Sequence, residues 1–521
     1  MKSLLPFFLA LLTLGYANAQ APAIQWSKTY GGIGFEEAHA ILQTTDGGYI
    51  VAGTTNLNSG DVTDNHSISV TDFWVVKLSA TGAIQWKKCY GGSADDKANC
   101  IQQTTDGGYV IAGSSVSTDG DVTGVHINPF NALWGDYWVL KIDSLGTIQW
   151  QKTIGGTSTD EAQSIVQTID GGYIVVGNSY AQFSYDGDFV NGATTVKLSA
   201  TGAIEWTTYA GDNNYSVKQT LDGGYVIGGY LGGKFYIGKL NSLGTVEWQK
   251  FYGGTSFGDF AYSVIQTTDG GYMVAGGIHS SDGDVIGYHG GTTDAWLLKL
   301  DSSGDLQWQK TLGGSYDEQA NCVIQTPDGG YIIAGETNSN DGDVSGFHGV
   351  GGDTGGGGVP RTDYWIVKVN STGVVQWQKT MGANYIDKAT SIIRTSDGGY
   401  AVAGHVALQV VNNGDVTNFH LNASVPNGSG YDYWIVKLAP EVLSVASNSN
   451  DLVTVYPNPT SNTIHINGLT ATTCNLTIIN ELGSTIATYD NTLLRDIDIS
   501  SLAKGMYFLK VDTTCFKIIK E

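Results

Sequence analysis

Thr45 to Gly53 reads TDGGYIVAG, and its DGGY returns at Asp106, Asp170, Asp222, Asp269, Asp328 and Asp397, making seven copies at intervals of 60, 64, 52, 47, 59 and 69 residues. Self-similarity at such periods marks an architecture in which one small structural unit is stacked many times. A Lys follows each copy inside a strand-like run such as DYWIVKL, at Lys77, Lys141, Lys197, Lys239, Lys299, Lys368 and Lys437. After each of the first six Lys, a Trp stands nine residues on, from Trp86 to Trp377. Nearly all the length variation falls between the Gly of the YIVAG-type run and the Lys, where 24, 28, 20, 10, 23, 33 and 33 residues intervene. A fixed frame therefore carries one variable loop per repeat.

Each repeat reads as four strands. β-rich runs flank DGG, which is a hairpin signal, and the Lys-bearing and Trp-bearing runs form a second hairpin across NSTG or a similar turn. Four short antiparallel strands per repeat, without helical periodicity, predict propeller blades; a β-solenoid, whose coils are usually shorter, is the alternative. The seventh repeat stops at Ala439 without a Trp strand, while an unpartnered IQW stands at Ile24 to Trp26. The expected fold is thus an all-β, seven-bladed β-propeller closed by an N-terminal strand, because a ring makes the first and last blades neighbours and removes an open edge.

The opening residues combine Lys2, an apolar run and the small pair Ala17 and Ala19. This is the pattern of a secretory signal peptide over residues 1–19. No later stretch approaches the length of apolar chain that a membrane helix requires. The propeller is expected over 20–440, a polar linker over 441–451, and a small β-sandwich over 452–521, where short alternating strands resume. With 72 Gly, 28 Tyr and 13 Trp against 9 Pro and 4 Met, the composition suits strands and tight turns. A formal charge of −23 excludes nucleic acid and anionic lipid as partners, and favours small cations or basic partners. Five Cys are too few for a disulfide scaffold; Cys474 and Cys515 would be able to pair if their strands were neighbours.

The tail carries VYPNPT at Val455 to Thr460, LTIINELGSTI, IDISSLAKGMYFLKV and a terminal KIIK. In that order these segments closely resemble the C-terminal sorting domain of the bacterial type IX secretion system. The resemblance implies a Bacteroidota-type source, passage through the periplasm, handling by the type IX machinery, and release or attachment at the cell surface. The repeats, in DYWVLKI and G-x-IQW, are similar to those of bacterial seven-bladed propellers, which implies a fold and lends no catalytic residue.

Several residue sets bear on chemistry. An acid stands ten residues before every DGGY: Glu36, Asp96, Asp160, Asp212, Asp259, Glu318 and Asp387. Such a ring would concentrate cations at a channel mouth, or each acid would satisfy backbone N–H groups of its connector, the reading that suits a feature present in every repeat. In the variable loops Asp119 with Asp121, Asp282 with Asp284, and Asp341 with Asp343 alternate around Gly, giving calcium candidates, although no distal Glu completes the ligand set. His66, His126, His289, His348 and His420 come one from each of five loops and would form a zinc site only if the loops converged. No phosphate loop is present. Trp134, outside the repeat frame, is the best exposed ligand-contact candidate. Together these features favour a non-catalytic binding or scaffolding module, exported to the surface or beyond, that engages a glycan or protein through its variable loops. The alternative is a secreted enzyme acting on a polysaccharide or other extracellular polymer.

Overall fold

The computed structural model describes the chain apart from residues 1–19, 127–134, 157, 180–193, 257, 350–351, 353–360, 384, 408–413, 418, 421–429, 442–453, 468–473, 481–483, 493–495 and 512–513. Among the described residues every regular element is a strand. Residue contacts divide the chain into one unit, Ala21–Glu441, and another that includes Val442–Glu521.

The first unit holds seven four-stranded antiparallel sheets, a propeller-like all-β arrangement. Sheet one is Glu37–Gln43, Tyr49–Thr55, Asp72–Leu78 and Ile84–Tyr90, hydrogen-bonded in that order. Sheets two to six repeat this order. Sheet seven takes Asp387–Arg394, Tyr400–Ala407 and Tyr431–Leu438 and has Ile24–Tyr30 as its fourth strand. Trp26 lies opposite Lys437 there, as Trp86 lies opposite Lys77 in sheet one. Each first strand lies against the first strand of the sheet on either side, and the series returns on itself, because Asp387–Arg394 lies against Glu37–Gln43.

The side-chain chemistry of DGGY explains its repetition. In sheet one the Asp46 carboxylate accepts the Thr44 hydroxyl at 2.5 Å and the Gly48 N–H at 2.9 Å, closing the turn. Gly47 has φ of +81°, a conformation that side chains resist, and a Cβ on Gly48 would lie 2.2 Å from the Leu78 carbonyl. Asp46 also receives the Lys77 ammonium at 2.9 Å, and all seven repeat Lys make this bridge to the Asp of their own DGGY. The Lys side chains are buried while the Asp are half exposed, so the pair keeps water on one side only. Truncating Lys299 to Ala is expected to lower the unfolding free energy by about 2–4 kcal/mol, because the Leu300 carbonyl and Gln307 lose their buried donor as well. Urea denaturation of the variant measures the loss.

In six of the seven repeats the Tyr packs against the Trp of the preceding sheet. Trp86 meets Tyr109 with ring centroids 6.3 Å apart, Trp150 meets Tyr173 at 5.6 Å, and Trp26 of sheet seven meets Tyr49 of sheet one at 5.8 Å. From the other side six of the seven Trp, all but Trp377, are covered by the second hairpin turn of the following sheet, as Gly146 covers Trp86 and Gly82 covers Trp26. Buried apolar residues from adjacent sheets form shared clusters between them, with Trp74, Trp138, Trp296, Trp365 and Trp434 fully enclosed.

Glu441, expected at the start of the linker, is held within the repeat unit: its carboxylate accepts Lys368 Nζ at 2.9 Å and the Tyr400 hydroxyl at 2.6 Å.

The C-terminal unit has a three-stranded sheet and a four-stranded one that share a core of Ile464, Ile466, Leu476, Ile478, Ile497, Leu509 and Ile518. The YPNP segment is tied to the last strand, since Asn458 accepts the Ile519 N–H and donates to the Lys517 carbonyl. Cys474–Asn480 and Thr514–Lys520 are separated by Gly505–Val511, so the strands bearing Cys474 and Cys515 are not neighbours. The condition for their pairing is therefore unmet.

Candidate functional site

The repeated acids lie inside the protein. Glu36, Asp96, Asp160, Asp259, Glu318 and Asp387 are buried, and each accepts a backbone N–H from its own connector, for example Gly32 to Glu36 and Gly92 to Asp96, both at 2.8 Å. Side-chain hydroxyls add to this, from Thr55 to Glu36 and from Ser117 to Asp96. Asp212 differs: it is exposed and caps the Gly232 N–H at 2.9 Å. Six of these carboxyls are thus buried on the N–H groups of their own connectors, and the seventh, Asp212, caps an exposed turn.

A second buried Asp, the first residue of a third strand or, for Asp432, the second, faces five of the acids. The Asp72 and Asp96 carboxyls converge over Gly91, where a Cβ would lie 2.7 and 2.4 Å from their oxygens. Burial pushes Glu36, Asp96, Asp160 and Glu318 up to about 7, and Asp72 to about 6. The loop His completes each junction: His66 donates its backbone N–H and turns Nδ1 toward Asp72, at 2.8 and 2.7 Å. His126 with Asp136, His289 with Asp294, His348 with Asp363 and His420 with Asp432 repeat the pair at 2.6 to 3.0 Å. The five His are thus dispersed, one per junction, and do not converge on a zinc ion.

The Asp pairs proposed for calcium are likewise engaged. Asp119 accepts the Ser93 N–H, Asp282 that of Thr255 and Asp341 that of Ser315, at 2.7 to 2.8 Å. Asp121, Asp284 and Asp343 face the N–H of Gly91, Gly253 and Gly313 at 3.2 to 3.4 Å, and their own N–H groups bond back to those carbonyls. Each Asp-Gly-Asp segment latches a loop to the connector beside it. Among the described residues no group of three or more His, Cys, Asp or Glu is placed to hold a metal ion. Trp134 lies outside the described residues.

The open chemistry lies at the inner rim, where connectors enter the first strands. Beyond each acid the next residue but one is buried, as Ala38 and Ala261 show. The residues on either side of it are only half-buried, and the strand alternation turns them toward the space that the seven strands share. In sheets one, two, six and seven these positions are polar: Glu37 and His39, Lys97 and Asn99, Gln319 and Asn321, Lys388 and Thr390. They bond across to the next sheet, His39 to the Ala98 carbonyl at 2.6 Å, Asn321 to that of Ala389 at 2.8 Å and Thr390 to that of Ala38 at 2.8 Å. Lys388 and Glu336 form an ion pair at 2.8 Å; burial opposes the Lys388 charge, yet Glu336 raises its pKa above the ordinary value. His405, enclosed nearby, is driven down to about 4 by burial and is neutral at physiological pH.

In sheet five both positions are aromatic, Phe260 and Tyr262, and in sheet four the second of them is Tyr215, the first being Asn213. Tyr230 and Phe260 stack at 4.8 Å and 26°, Phe260 and Tyr262 at 5.9 Å and 25°, and Tyr215 leans on Tyr262 at 5.2 Å. A cleft of about 360 Å³ adjoins them, lined by Thr293, Gln319, Glu336, Thr362, Lys388 and Tyr431, among others. That volume suits a small ligand or one segment of a polymer. Sequence reading missed this site because attention fell on the acid; shifting one and three residues beyond it exposes the change from polar to aromatic.

Residues 454–521 match the family of the secretion system C-terminal sorting domain. The likeness read from the tail holds, and it marks the chain as an exported protein handled by type IX secretion, at the surface or released. Among the described residues no helix is long and apolar enough to cross a membrane. No curated protein matches the chain. Solved structures similar to it include a WD40 domain of Pan2 from Neurospora crassa (10% identity, 82% of this chain and 98% of that one, TM-score 0.43). Another is Sqt1 from Chaetomium thermophilum (10%, 73% and 97%, TM-score 0.37). A protein of unknown function from Bacteroides caccae is also similar (13%, 59% and 89%, TM-score 0.33). None of them says what this chain binds.

Proposed function

We propose that the seven sheets are the blades of one closed propeller, completed by Ile24–Tyr30, and that it serves as a non-catalytic binding module delivered outside the cell. The closed series of first-strand contacts and the equivalence of Trp26 to the other repeat Trp support the ring. The observation that carries the binding role is the inner-rim cleft, where Lys388, Glu336, Asp317, Gln319 and Tyr431 converge beside Glu318, whose carboxylate also holds its connector. Leader and tail are addresses, so the activity belongs to this rim and the loops around it.

The mature chain is tested on arrays of glycans and extracellular proteins, with a parallel hydrolysis screen on polysaccharides. Retention without turnover is expected, reduced at least about tenfold by Lys388→Ala in the cleft. Turnover without stable retention would establish the enzyme reading in its place.

A further inference from the structure

We infer that the rim cleft binds a cationic group, an ammonium or a guanidinium, between the carboxylates of Asp317 and Glu336. This rests on the binding reading above and names its ligand class. The cleft wall carries three acids, Asp317, Glu318 and Glu336, against one base, Lys388. That base is already answered, since it meets Glu336 Oε1 at 2.8 Å and Glu37 adds to the negative field around it. The acids keep spare capacity. Asp317 takes the N–H groups of Thr292 and Thr293 on Oδ1, at 2.6 and 3.2 Å, and Glu336 takes Lys388 on Oε1. Asp317 Oδ2 and Glu336 Oε2 are left open to a further donor. The repeat frame does not require this arrangement. Five residues after the repeat Tyr, where sheet six has Glu336, the other sheets have Thr54, Ser114, Asn178, Tyr230, Gly277 and His405. Just before the repeated acid, at the position of Asp317, only sheet two has another acid, Asp95. Sheet six alone combines the two.

A third polar group is unspent beside the cleft. His405 packs its ring 5.1 Å from that of Tyr431, which lines the cleft, and stands opposite Lys388 on the neighbouring strand. It is 8% exposed, and its Nδ1 has no hydrogen-bond partner. A buried polar atom in that state is one that a ligand, or a water held by a ligand, can satisfy. The cleft volume of about 360 Å³ admits one Lys or Arg side chain with its waters, and no folded element. An anion would meet three acids in a chain of charge −23. An apolar group would cover the open Asp317 and Glu336 oxygens without giving them partners, which costs binding energy. A guanidinium suits them best, because its fixed fork of five donors can serve both carboxylates with charge-assisted bonds. A basic segment of a protein and a free polyamine both carry groups of this class.

Calorimetric titration of the mature chain with tetra-arginine, tetra-lysine, spermidine and tetra-glutamate tests the inference. At least one of the three cations is expected to bind at a single site, and tetra-glutamate at none. Tighter binding of the peptides identifies a basic protein as the source of the group, and tighter binding of spermidine a polyamine. Asp317→Asn and Glu336→Gln keep the acceptors for Thr293 and Lys388 and remove the charge, so each should weaken binding by about tenfold or more. Added salt should weaken it as well. Each variant's thermal melting checks that it folds. Cation binding that persists undiminished in the folded double variant is diffuse attraction to an acidic chain, and overturns the site. An array ligand lost in Lys388→Ala, a change that dismantles the cleft wall for any occupant, yet indifferent to Asp317→Asn and Glu336→Gln overturns the ligand class and leaves the binding module standing. No ligand of any kind would remove both.

Discussion

A mature chain lacking Ala21 to Lys28 is expected to unfold at markedly lower temperature and to associate through sheet seven. Removal strips most of the fourth strand from Tyr431–Leu438, whose N–H and C=O groups then face water as an open edge. It removes the Trp26 contact with Tyr49, the cover of Gly82 over the Trp26 ring, and the bonds from Lys28 Nζ to the Thr81 and Gly82 carbonyls at 2.9 and 3.1 Å. The Trp burial alone is worth up to about 4–6 kcal/mol by area. Trp26→Ala, which keeps the backbone ladder, should cost about 2–4 kcal/mol and leave the protein monomeric. Calorimetry and size-exclusion chromatography read both effects. A truncated chain that melts with the native one and stays monomeric would show that the ring does not depend on this strand.

The second large effect is on pH. Glu36, Asp96, Asp160 and Glu318 have folded-state pKa values near 7, far above those of the unfolded chain. A raised pKa means that the folded state holds its proton more tightly, so the stabilisation is complete below about pH 4 and is lost as pH rises toward 7. His66, His348 and His420 act in the same sense at higher pH, since their raised values make them stabilising below about 6.5 and progressively less so above it. The DGGY Asp oppose this at the acid end. Asp46, Asp106, Asp170, Asp222, Asp269 and Asp397 lie at about 2, so what they contribute is present above pH 4 and lost as pH falls toward 2.

Stability should therefore peak near pH 4 to 5 and fall on both sides. At roughly 1 kcal/mol for each of the four acids, the midpoint should drop by about 4–5 °C between pH 5 and pH 8. Replacing Asp96 by Asn and Glu318 by Gln keeps the acceptor for the connector N–H and removes the titration, so the slope between pH 5 and 7 should flatten. A midpoint that rises over that interval in the native chain would contradict the arrangement of buried carboxyl pairs. For an exported protein the consequence is practical, because the medium sets its pH.

Much of the architecture was legible in one dimension. The distance from Lys to Trp, constant at nine residues, is the length of a hairpin with a four-residue turn, and a hairpin is a local object whose geometry its own residues determine. The length variation fell into one loop because a strand cannot gain a residue without turning its side chains to the wrong face, whereas a surface loop can. The sorting tail was legible too, as its motifs follow one another in order. That DGGY Asp and Lys form a pair was not seen, although both recur seven times, because they stand 17 to 40 residues apart across a loop of variable length. Only the pleat of the sheet brings them together.

The sequence by itself determined the repeat, the four-strand grammar, the odd IQW strand at the beginning and the export signature at the end. Tertiary structure decided what the polar residues do. Ten residues before DGGY, the acids gave the same signal whether they lined a channel or held a connector; the structure buries six of the seven, and a carboxyl without water takes backbone N–H groups or keeps its proton. The loop His and Asp had the look of ligands for a metal, and the structure engages them within the fold: each His meets a buried Asp near the start of the third strand of its own sheet, and each Asp-Gly-Asp segment meets the connector entering that sheet. The aromatic cluster came into view only in three dimensions: Tyr230, Phe260 and Tyr262 are unremarkable as single letters, and the packing of sheet four on sheet five brings their rings into one stack.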